Sequence, residues 1–95
     1  MKFYYVYILH NPNKNFIYIG YSENPKKRYQ DHNFGKVRST KVYKPLGLIF
    51  YEAYLTRSDA KRREKYLKSN KGRTTLVTML KDYFKHPNPS AVFAA

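Results

Sequence analysis

Cysteine and tryptophan are absent from this chain of 95 residues. Without cysteine, the protein has neither a disulfide scaffold nor a thiolate zinc site. Its three histidines are scattered, so they do not indicate a zinc site either. No stretch approaches the length of a membrane-spanning helix, and no small-residue cleavage site of a signal peptide follows the tyrosine-rich start. We therefore expect a cytoplasmic protein without a membrane partner.

Acidic residues are scarce, which leaves a large positive charge. Lysine and arginine number 19 against 6 aspartates and glutamates, giving a formal net charge of +13 at pH 7. Self-repulsion of this size in a small protein is usually matched by a polyanionic partner. We therefore predict a nucleic-acid partner; an anionic membrane surface and an acidic protein are the alternatives.

The length of the chain suits one domain with one modest core. We place this domain at residues 1–86. Residues 87–95 show no hydrophobic periodicity, so we predict that they form a mobile C-terminal tail.

Aromatic and β-branched residues predict three strands, the first two of which form an antiparallel hairpin across a five-residue turn. The predicted strands are Phe3–His10, Phe16–Tyr21 and Gly47–Tyr54, and the turn is Asn11–Asn15. A basic loop, residues 36–45, precedes the third strand.

Capping residues predict where the first helix begins and ends. Asn24 is a typical cap and Pro25 suits the first helical position, so the helix begins there. It runs to about Asn33, and Gly35 is a suitable stop.

Two further helices are predicted after the third strand. Thr56 to Asp59 resembles a capping box, so a helix begins there and runs to about Ser69, with Gly72 breaking it. The last helix is Thr74–Phe84, with an apolar face formed by Leu76, Val77, Leu80 and Phe84. The order β-β-α-β-α-α predicts an α+β fold, a small three-stranded antiparallel sheet flanked by helices.

The first predicted helix carries two residues suited to phosphodiester chemistry. Arg28 and His32 are spaced four residues apart, so they share one helix face. Arginine offers two parallel hydrogen bonds to a phosphate and keeps its charge, whereas a neutral histidine accepts a proton near pH 7. The pair could therefore grip a phosphate and assist a water molecule. The alternative is a solvated basic helix with Arg28 pointing outward.

Two tyrosines of the predicted hairpin extend this candidate site. Tyr7 shares a strand face with Tyr5, and Tyr18 shares a face with Gly20, which would permit a close backbone approach. A hairpin could bring Tyr7 and Tyr18 to one concave surface, where their hydroxyls would orient a water molecule. Because a tyrosine pKa of about 10 makes a poor base, we expect Arg28 and a metal ion to lower it. The alternative is a pair of core tyrosines with wetted hydroxyls.

A lone carboxylate, Glu64, lies in the basic segment of residues 61–65. It is a candidate Mg²⁺ ligand, because Mg²⁺ often takes only one or two protein carboxylates and completes its shell with water and phosphate. The alternative is a salt bridge with Lys68, four residues further on.

In this order the motifs resemble the GIY-YIG nuclease superfamily, particularly its small single-domain bacterial branch. Tyr5-Val6-Tyr7 stands where the superfamily has Gly-Ile-Tyr, and Tyr18-Ile19-Gly20 stands where it has Tyr-Ile-Gly. The resemblance covers roughly residues 3 to 75 and continues through Lys27-Arg28, His32–Gly35, Leu48–Glu52 and Arg63–Ser69. Related domains occur in the excision-repair endonuclease and in homing endonucleases. One departure is Tyr5, which replaces the glycine of the first motif.

The resemblance implies a metal-dependent endonuclease that hydrolyses phosphodiester bonds, with DNA favoured over RNA, in DNA repair or recombination. It implies that Tyr7 and Tyr18 are the motif tyrosines and that Arg28 binds the phosphate. His32 would help to activate water, and Glu64 would bind one Mg²⁺ or Mn²⁺ ion. The alternative is a non-catalytic basic nucleic-acid-binding module of the same fold, whose aromatic strands stack bases.

Substrate binding is expected to rest on cations around the mouth of the site, and specificity on a partner protein, a homodimer or the substrate's shape. The expected substrate-binding cations are Lys26, Lys27, Lys36, Arg38, Lys41 and Lys44. Asn70 is the nearest candidate for the asparagine that often follows the metal ligand in the superfamily, and it fits a helix end equally well.

Overall fold

A three-stranded antiparallel sheet forms the centre of the computed structural model, which describes residues 1–87. The strands are β1 (Tyr4–Asn11), β2 (Phe16–Ser22) and β3 (Gly47–Tyr54), in the spatial order β2-β1-β3. Short 3-10 helices occupy Pro12–Lys14 and Lys41–Tyr43. The predicted sheet is confirmed, although β1 extends to Asn11, so the turn between β1 and β2 is shorter than predicted.

Helices cover both faces of this sheet. The helices are α1 (Pro25–Asn33), α2 (Arg57–Leu67), α3 (Asn70–Met79) and α4 (Lys81–Lys85). Because β1 is the central strand and is covered on both sides, its residues from Val6 to Asn11 are all buried. None of the helices within residues 1–87 is long and apolar enough to cross a membrane.

The alternation of side chains along β1 creates two separate cores. Val6 and Ile8 point to one face, where they pack with Ala60 of α2 and Leu76 of α3. Tyr7 and Leu9 point to the other face, where the partly buried Tyr29 of α1 packs against their cluster. The sheet is therefore the middle layer between α1 on one side and α2 and α3 on the other.

The predicted caps of α1 and α2 are confirmed. The Asn24 side chain accepts a hydrogen bond from the Lys27 amide at 3.1 Å, and Pro25 occupies the first turn. The Thr56 hydroxyl accepts one from the Asp59 amide at 3.2 Å. These bonds satisfy amides that a helix start leaves without an internal partner.

The junction after α2 differs from the prediction. Gly72 does not break a helix but lies inside α3, and Ser69 caps α3 by accepting a hydrogen bond from the Gly72 amide at 3.1 Å. A Cβ atom at Gly72 would lie 1.8 Å from the Tyr66 carbonyl oxygen, so the glycine permits a close helix contact. Its role is packing, which the sequence pattern does not distinguish from helix breaking.

The predicted helix Thr74–Phe84 is two helices, because α3 ends at Met79 and α4 begins at Lys81. Leu76, Leu80 and Phe84 pack on the core as expected, whereas Val77 is 53% exposed. The predicted mobile tail lies outside the described residues except for Pro87, so it stays a prediction.

Candidate active site

The hairpin brings Tyr7 and Tyr18 to one face of the sheet. Tyr7 lies opposite Gly20, and Tyr18 lies opposite Leu9. The two tyrosine ring centroids are 6.1 Å apart. A Cβ atom at Gly20 would lie 2.5 Å from the Tyr7 ring, so this glycine admits the Tyr7 side chain rather than the backbone approach that was expected.

Helix α1 places His32 against both tyrosines. His32 is completely buried, its Nε2 atom lies 3.0 Å from the Tyr7 hydroxyl, and its ring centroid is 4.7 Å from that of Tyr18. On the other side of the ring, Nδ1 lies 2.6 Å from the hydroxyl of buried Thr40. Both strands of the hairpin, β1 and β2, and the loop that carries Thr40 therefore contact this one histidine of α1.

Burial sets the protonation state of His32. It lowers the pKa of this histidine to about 4, and the Arg28 guanidinium acts in the same direction, while Asp31 opposes both. His32 is therefore neutral at pH 7, as expected from the sequence, but its affinity for a proton is lower than that of a solvated histidine.

Arg28 lowers the pKa of Tyr7, as expected, but the net shift of that pKa is upward. Burial raises the pKa of Tyr7 above its usual range, and Tyr18 contributes to the rise. Arg28 does lower that pKa, both by its charge and by hydrogen bonding to the Tyr7 hydroxyl, but this effect is smaller than the effect of burial. Tyr7 is consequently a protonated phenol at neutral pH, with a guanidinium beside it.

Glu64 lies on α2, which packs on the opposite face of the sheet. Its carboxylate is 3.0 Å from the Lys68 ammonium and 3.8 Å from the Lys61 ammonium. Within residues 1–87, none of its hydrogen bonds or ion pairs is with Tyr7, Tyr18 or His32. The salt bridge with Lys68 that the spacing allowed is therefore present.

Acidic and histidine side chains form no group of three or more that could hold a metal ion within the described part of the chain. A metal site at Glu64 would thus rest on one carboxylate, water and substrate. The neighbouring Arg63 is engaged elsewhere, because its Nε atom lies 2.9 Å from a carboxylate oxygen of Glu52.

The six expected substrate-binding cations are exposed, on α1 and on the segment that follows it. Lys27 and Lys36 have a carboxylate nearby, Asp31, at 3.4 and 4.0 Å. Asn70 is exposed at the first position of α3, where its carbonyl oxygen accepts a 3.4 Å hydrogen bond from Thr74. Asn70 therefore begins a helix rather than ending one, and its expected substrate-binding role stays a prediction.

Sequence reasoning missed Thr40 and the structural role of Asn33. Asn33 donates to the Leu46 carbonyl oxygen at 2.7 Å and accepts from the Leu46 amide at 2.8 Å, which ties the end of α1 to the start of β3. Thr40 lies in the segment predicted only as a basic loop. No spacing rule connects a loop threonine to a histidine eight residues earlier, so only the folded chain identifies Thr40.

Comparison with known proteins agrees with this geometry. The family model of the GIY-YIG catalytic domain matches residues 3–77. A UPF0213 protein of Staphylococcus haemolyticus is 37% identical over 70 residues, which is 73% of this chain and 84% of that relative. UPF0213 protein YazA of Bacillus subtilis is 42% identical over 52 residues, which is 54% of this chain and 52% of that relative. No solved structure matches the chain.

The matched residues include both tyrosine motifs, α1 with Arg28 and His32, and α2 with Glu64. The family match therefore covers every element that contributes to the candidate site. By the extent of this match and the identity of its relatives, the chain belongs to the GIY-YIG family.

Proposed function

We propose that this protein is a metal-dependent endonuclease that hydrolyses phosphodiester bonds in nucleic acid, with DNA favoured over RNA. The observation that carries the proposal is the buried hydrogen bond between Tyr7 and His32, which has Tyr18 and Arg28 beside it. A solvated basic helix would leave His32 exposed, whereas His32 is completely buried. The family and the net charge of +13 support the same class of activity and substrate.

Thr40 selects the tautomer of His32 in this proposal. The Val37 carbonyl oxygen can only accept, so the Thr40 hydroxyl, 3.4 Å away, donates to it. The Thr40 oxygen then accepts from Nδ1–H of His32 at 2.6 Å. With its proton on Nδ1, His32 presents an unprotonated Nε2 to the Tyr7 hydroxyl. Tyr7 therefore donates to His32, and the oxygen lone pair that Arg28 does not use can accept from a water molecule.

Proton transfer follows these hydrogen bonds. The water oxygen forms a bond to phosphorus while one water proton passes to the Tyr7 oxygen and the phenolic proton passes to Nε2 of His32. The bond between phosphorus and the 3′ oxygen breaks, and the 3′ oxygen takes a proton from solvent to leave as a hydroxyl, while His32 later returns its proton to solvent. His32 is a weak base in the free protein, and the negative charge of a bound phosphate favours its protonated form.

Arg28 and Tyr18 handle the charge and orientation of the phosphate. The Arg28 guanidinium donates to phosphoryl oxygens whose charge grows as the water attacks, and such preorganised donors are worth most in a partly buried site. The Tyr18 hydroxyl orients the water or a phosphate oxygen.

Glu64 is assigned to the metal ion. Its oxygens fit the donor chemistry of Mg²⁺ or Mn²⁺, for which one carboxylate with water and phosphate is sufficient. The Lys61 and Lys68 side chains, 55% and 52% exposed, can turn to phosphate when a cation replaces them at the carboxylate. An ion held by Glu64 would supply Lewis-acid neutralisation of the leaving oxygen, on the condition that the substrate extends from Arg28 to α2, which packs on the other face of the sheet.

The test is cleavage of labelled single-stranded, duplex and branched DNA and RNA with Mg²⁺ or with EDTA. We expect metal-dependent cutting by the wild type, loss of cutting in Glu64→Ala, and a loss of about 10² or more in Arg28→Ala. Glu23→Ala is the matched carboxylate control, because Glu23 pairs with Lys2 and Arg57 rather than with residues of the site. Activity of Arg28→Ala within threefold of wild type would remove its assigned role.

The second candidate is a non-catalytic nucleic-acid-binding module. It is favoured by one observation, the ion pairs of Glu64 with two lysines, which give the carboxylate a structural role without a metal. This alternative would be established if wild type and Glu64→Ala both bind nucleic acid in a salt-sensitive way and neither cuts it with Mg²⁺ or Mn²⁺. One site cuts one strand, so we propose that double-strand cleavage would require a homodimer or a partner protein.

A further inference from the structure

A cavity of about 880 Å³, the α1 cleft, opens beside the candidate active site. It lies between the end of α1, the turn that joins β1 to β2, and the segment before β3. The lining side chains used below are Asn13, Tyr29, Gln30, Phe34 and Lys44. Tyr29 packs against the core cluster that contains Tyr7, and Leu46, which also lines the cleft, belongs to that cluster. The cleft therefore lies on the same side of the sheet as the candidate site.

The amide side chains of the α1 cleft are of two kinds, those held by hydrogen bonds and those that make none within residues 1–87. Asn11 and Asn33 also line it, but their amides are held by the backbone of Tyr43 and Leu46. Asn13 and Gln30 are exposed and make no side-chain hydrogen bond within residues 1–87. The amides of Asn13 and Gln30 therefore have donors and acceptors available for a ligand, and the edge of a nucleobase requires both.

Phe34 gives the cleft an exposed aromatic face. Its side chain is 72% exposed, and its recorded ring contact is with the Lys36 ammonium, 6.0 Å from the ring centroid. Leaving a phenylalanine in water at the end of a helix gains no burial energy. An aromatic ring in this position is a surface on which a base can stack.

The rim of the cleft is cationic. The chain turns sharply after Phe34 because Gly35 adopts a φ of +75°. A Cβ atom at Gly35 would lie 3.5 Å from the Lys44 ammonium, so this cation lies close to the residue that follows Phe34. The neighbouring Lys36 and Lys41 are exposed as well. A phosphate backbone would therefore meet positive charge at the rim of a cleft that is largely apolar inside.

We propose that the α1 cleft binds an unpaired base of the DNA substrate, stacked on Phe34 and read by Asn13 and Gln30, with Lys44 on an adjacent phosphate. This inference rests on the proposed function and specifies its substrate as DNA with a single-stranded segment close to the cut. A fully paired duplex keeps its bases stacked inside and cannot place one in the cleft.

The experiment measures binding in EDTA, so that no cutting occurs. Two fluorescent probes are used, a blunt DNA duplex and the same duplex with a single-stranded arm that contains 2-aminopurine. We expect wild type to bind the armed probe more tightly and to change the 2-aminopurine emission. Phe34→Ala should weaken armed-probe binding about tenfold and leave duplex binding within twofold, whereas Phe34→Tyr should retain both. Leu55→Ala, at another exposed apolar residue, is the control.

The outcomes separate this inference from the proposed function. Equal binding of the two probes by wild type, or an unchanged preference in Phe34→Ala, would overturn the inference while leaving the nuclease proposal in place. Absence of binding to either probe would overturn both. If Phe93→Ala binds the armed probe more tightly than wild type does, and Phe34→Ala binds it as tightly as wild type, the α1 cleft would be assigned to residues 88–95 of the chain instead. Because Phe34 is exposed, its variants should unfold at the wild-type temperature, which checks that any loss is not misfolding.

Discussion

Burial outweighs charge for the two residues at the centre of the candidate site. Arg28 favours ionisation of Tyr7, yet burial raises the pKa of that tyrosine overall. The same burial lowers the pKa of His32, so both groups are neutral in the free protein. In the proposed mechanism this neutral pair passes a proton when an anionic substrate binds, because the negative charge of the substrate would favour imidazolium.

The first prediction concerns Thr40, the partner of His32 Nδ1. Thr40→Val removes the acceptor at nearly constant shape, so His32 should lose its preference for the Nδ1–H tautomer, and cleavage should fall about tenfold or more. Thr40→Ser, which keeps the hydroxyl, should retain both the Nδ1–H tautomer and the wild-type rate of cleavage. Nitrogen-15 NMR of the imidazole reports the tautomer without any need for activity. An unchanged Nδ1–H tautomer in Thr40→Val would contradict the assigned role.

At the scale of elements, the α2–α3 junction depends on the absence of a side chain. Gly72 lies in the first turn of α3 and contacts the backbone at the end of α2. The contact fixes the angle at which α3 leaves α2, and with it the position of Leu76 in the core. A larger residue would have to separate the two helices.

The second prediction follows from that contact. Gly72→Ala should lower the free energy of unfolding by about 2 kcal/mol or more, even though alanine favours helices, because its Cβ would overlap the Tyr66 carbonyl. Thr78→Ala is the control, since Thr78 is an exposed residue of the same helix. Urea denaturation measures both. Stabilisation of the protein by Gly72→Ala would show that the helices are not in the contact described.

At the scale of the whole molecule, charge and topology act together. The sheet buries β1 from both sides, while lysine and arginine residues on α1 and the following segment remain in solvent. The positive surface lies along α1, which also carries Arg28 and His32, and on the segment that follows this helix. A polyanion attracted to this surface is thereby brought to the candidate site.

The third prediction is a steep salt dependence of DNA binding. If the six exposed cations near α1 each contact a phosphate, the slope of log K against log salt should be about −5 for a duplex. Lys41→Ala should make this slope shallower by about 1, whereas Lys81→Ala, on α4, should leave it unchanged. Fluorescence anisotropy at several salt concentrations measures the slope. A flat dependence would point to a protein partner.

The fourth prediction concerns acid stability. The folded pKa of His32 is about 4, below its unfolded value of 6.5, so the unfolded state binds the extra proton first. The stability of the protein should therefore be intact above pH 6.5 and fall as the pH drops toward 4. The loss from this residue is about 3 kcal/mol, from 1.36 kcal/mol per pKa unit.

Chemical denaturation at a series of pH values tests this prediction. His32→Gln should flatten the pH dependence, leaving a residual slope from His10, whose pKa burial also lowers. An equally steep slope in the variant would assign the acid sensitivity to other groups.

Local pattern and composition were sufficient to predict the three strands, α1 with its cap, the cationic surface and the family. The sequence also predicted Tyr7, Tyr18, Arg28 and His32 as site residues, and the folded chain brings the two tyrosines and His32 together. Gly72 was misread, because a glycine looks the same whether it ends a helix or admits a neighbour. The contact of Thr40 with His32, the net effect of burial on Tyr7 and the α1 cleft depend on segments distant in sequence. These three features could be read only from the folded chain, since burial and long-range hydrogen bonds exist only once the chain has folded.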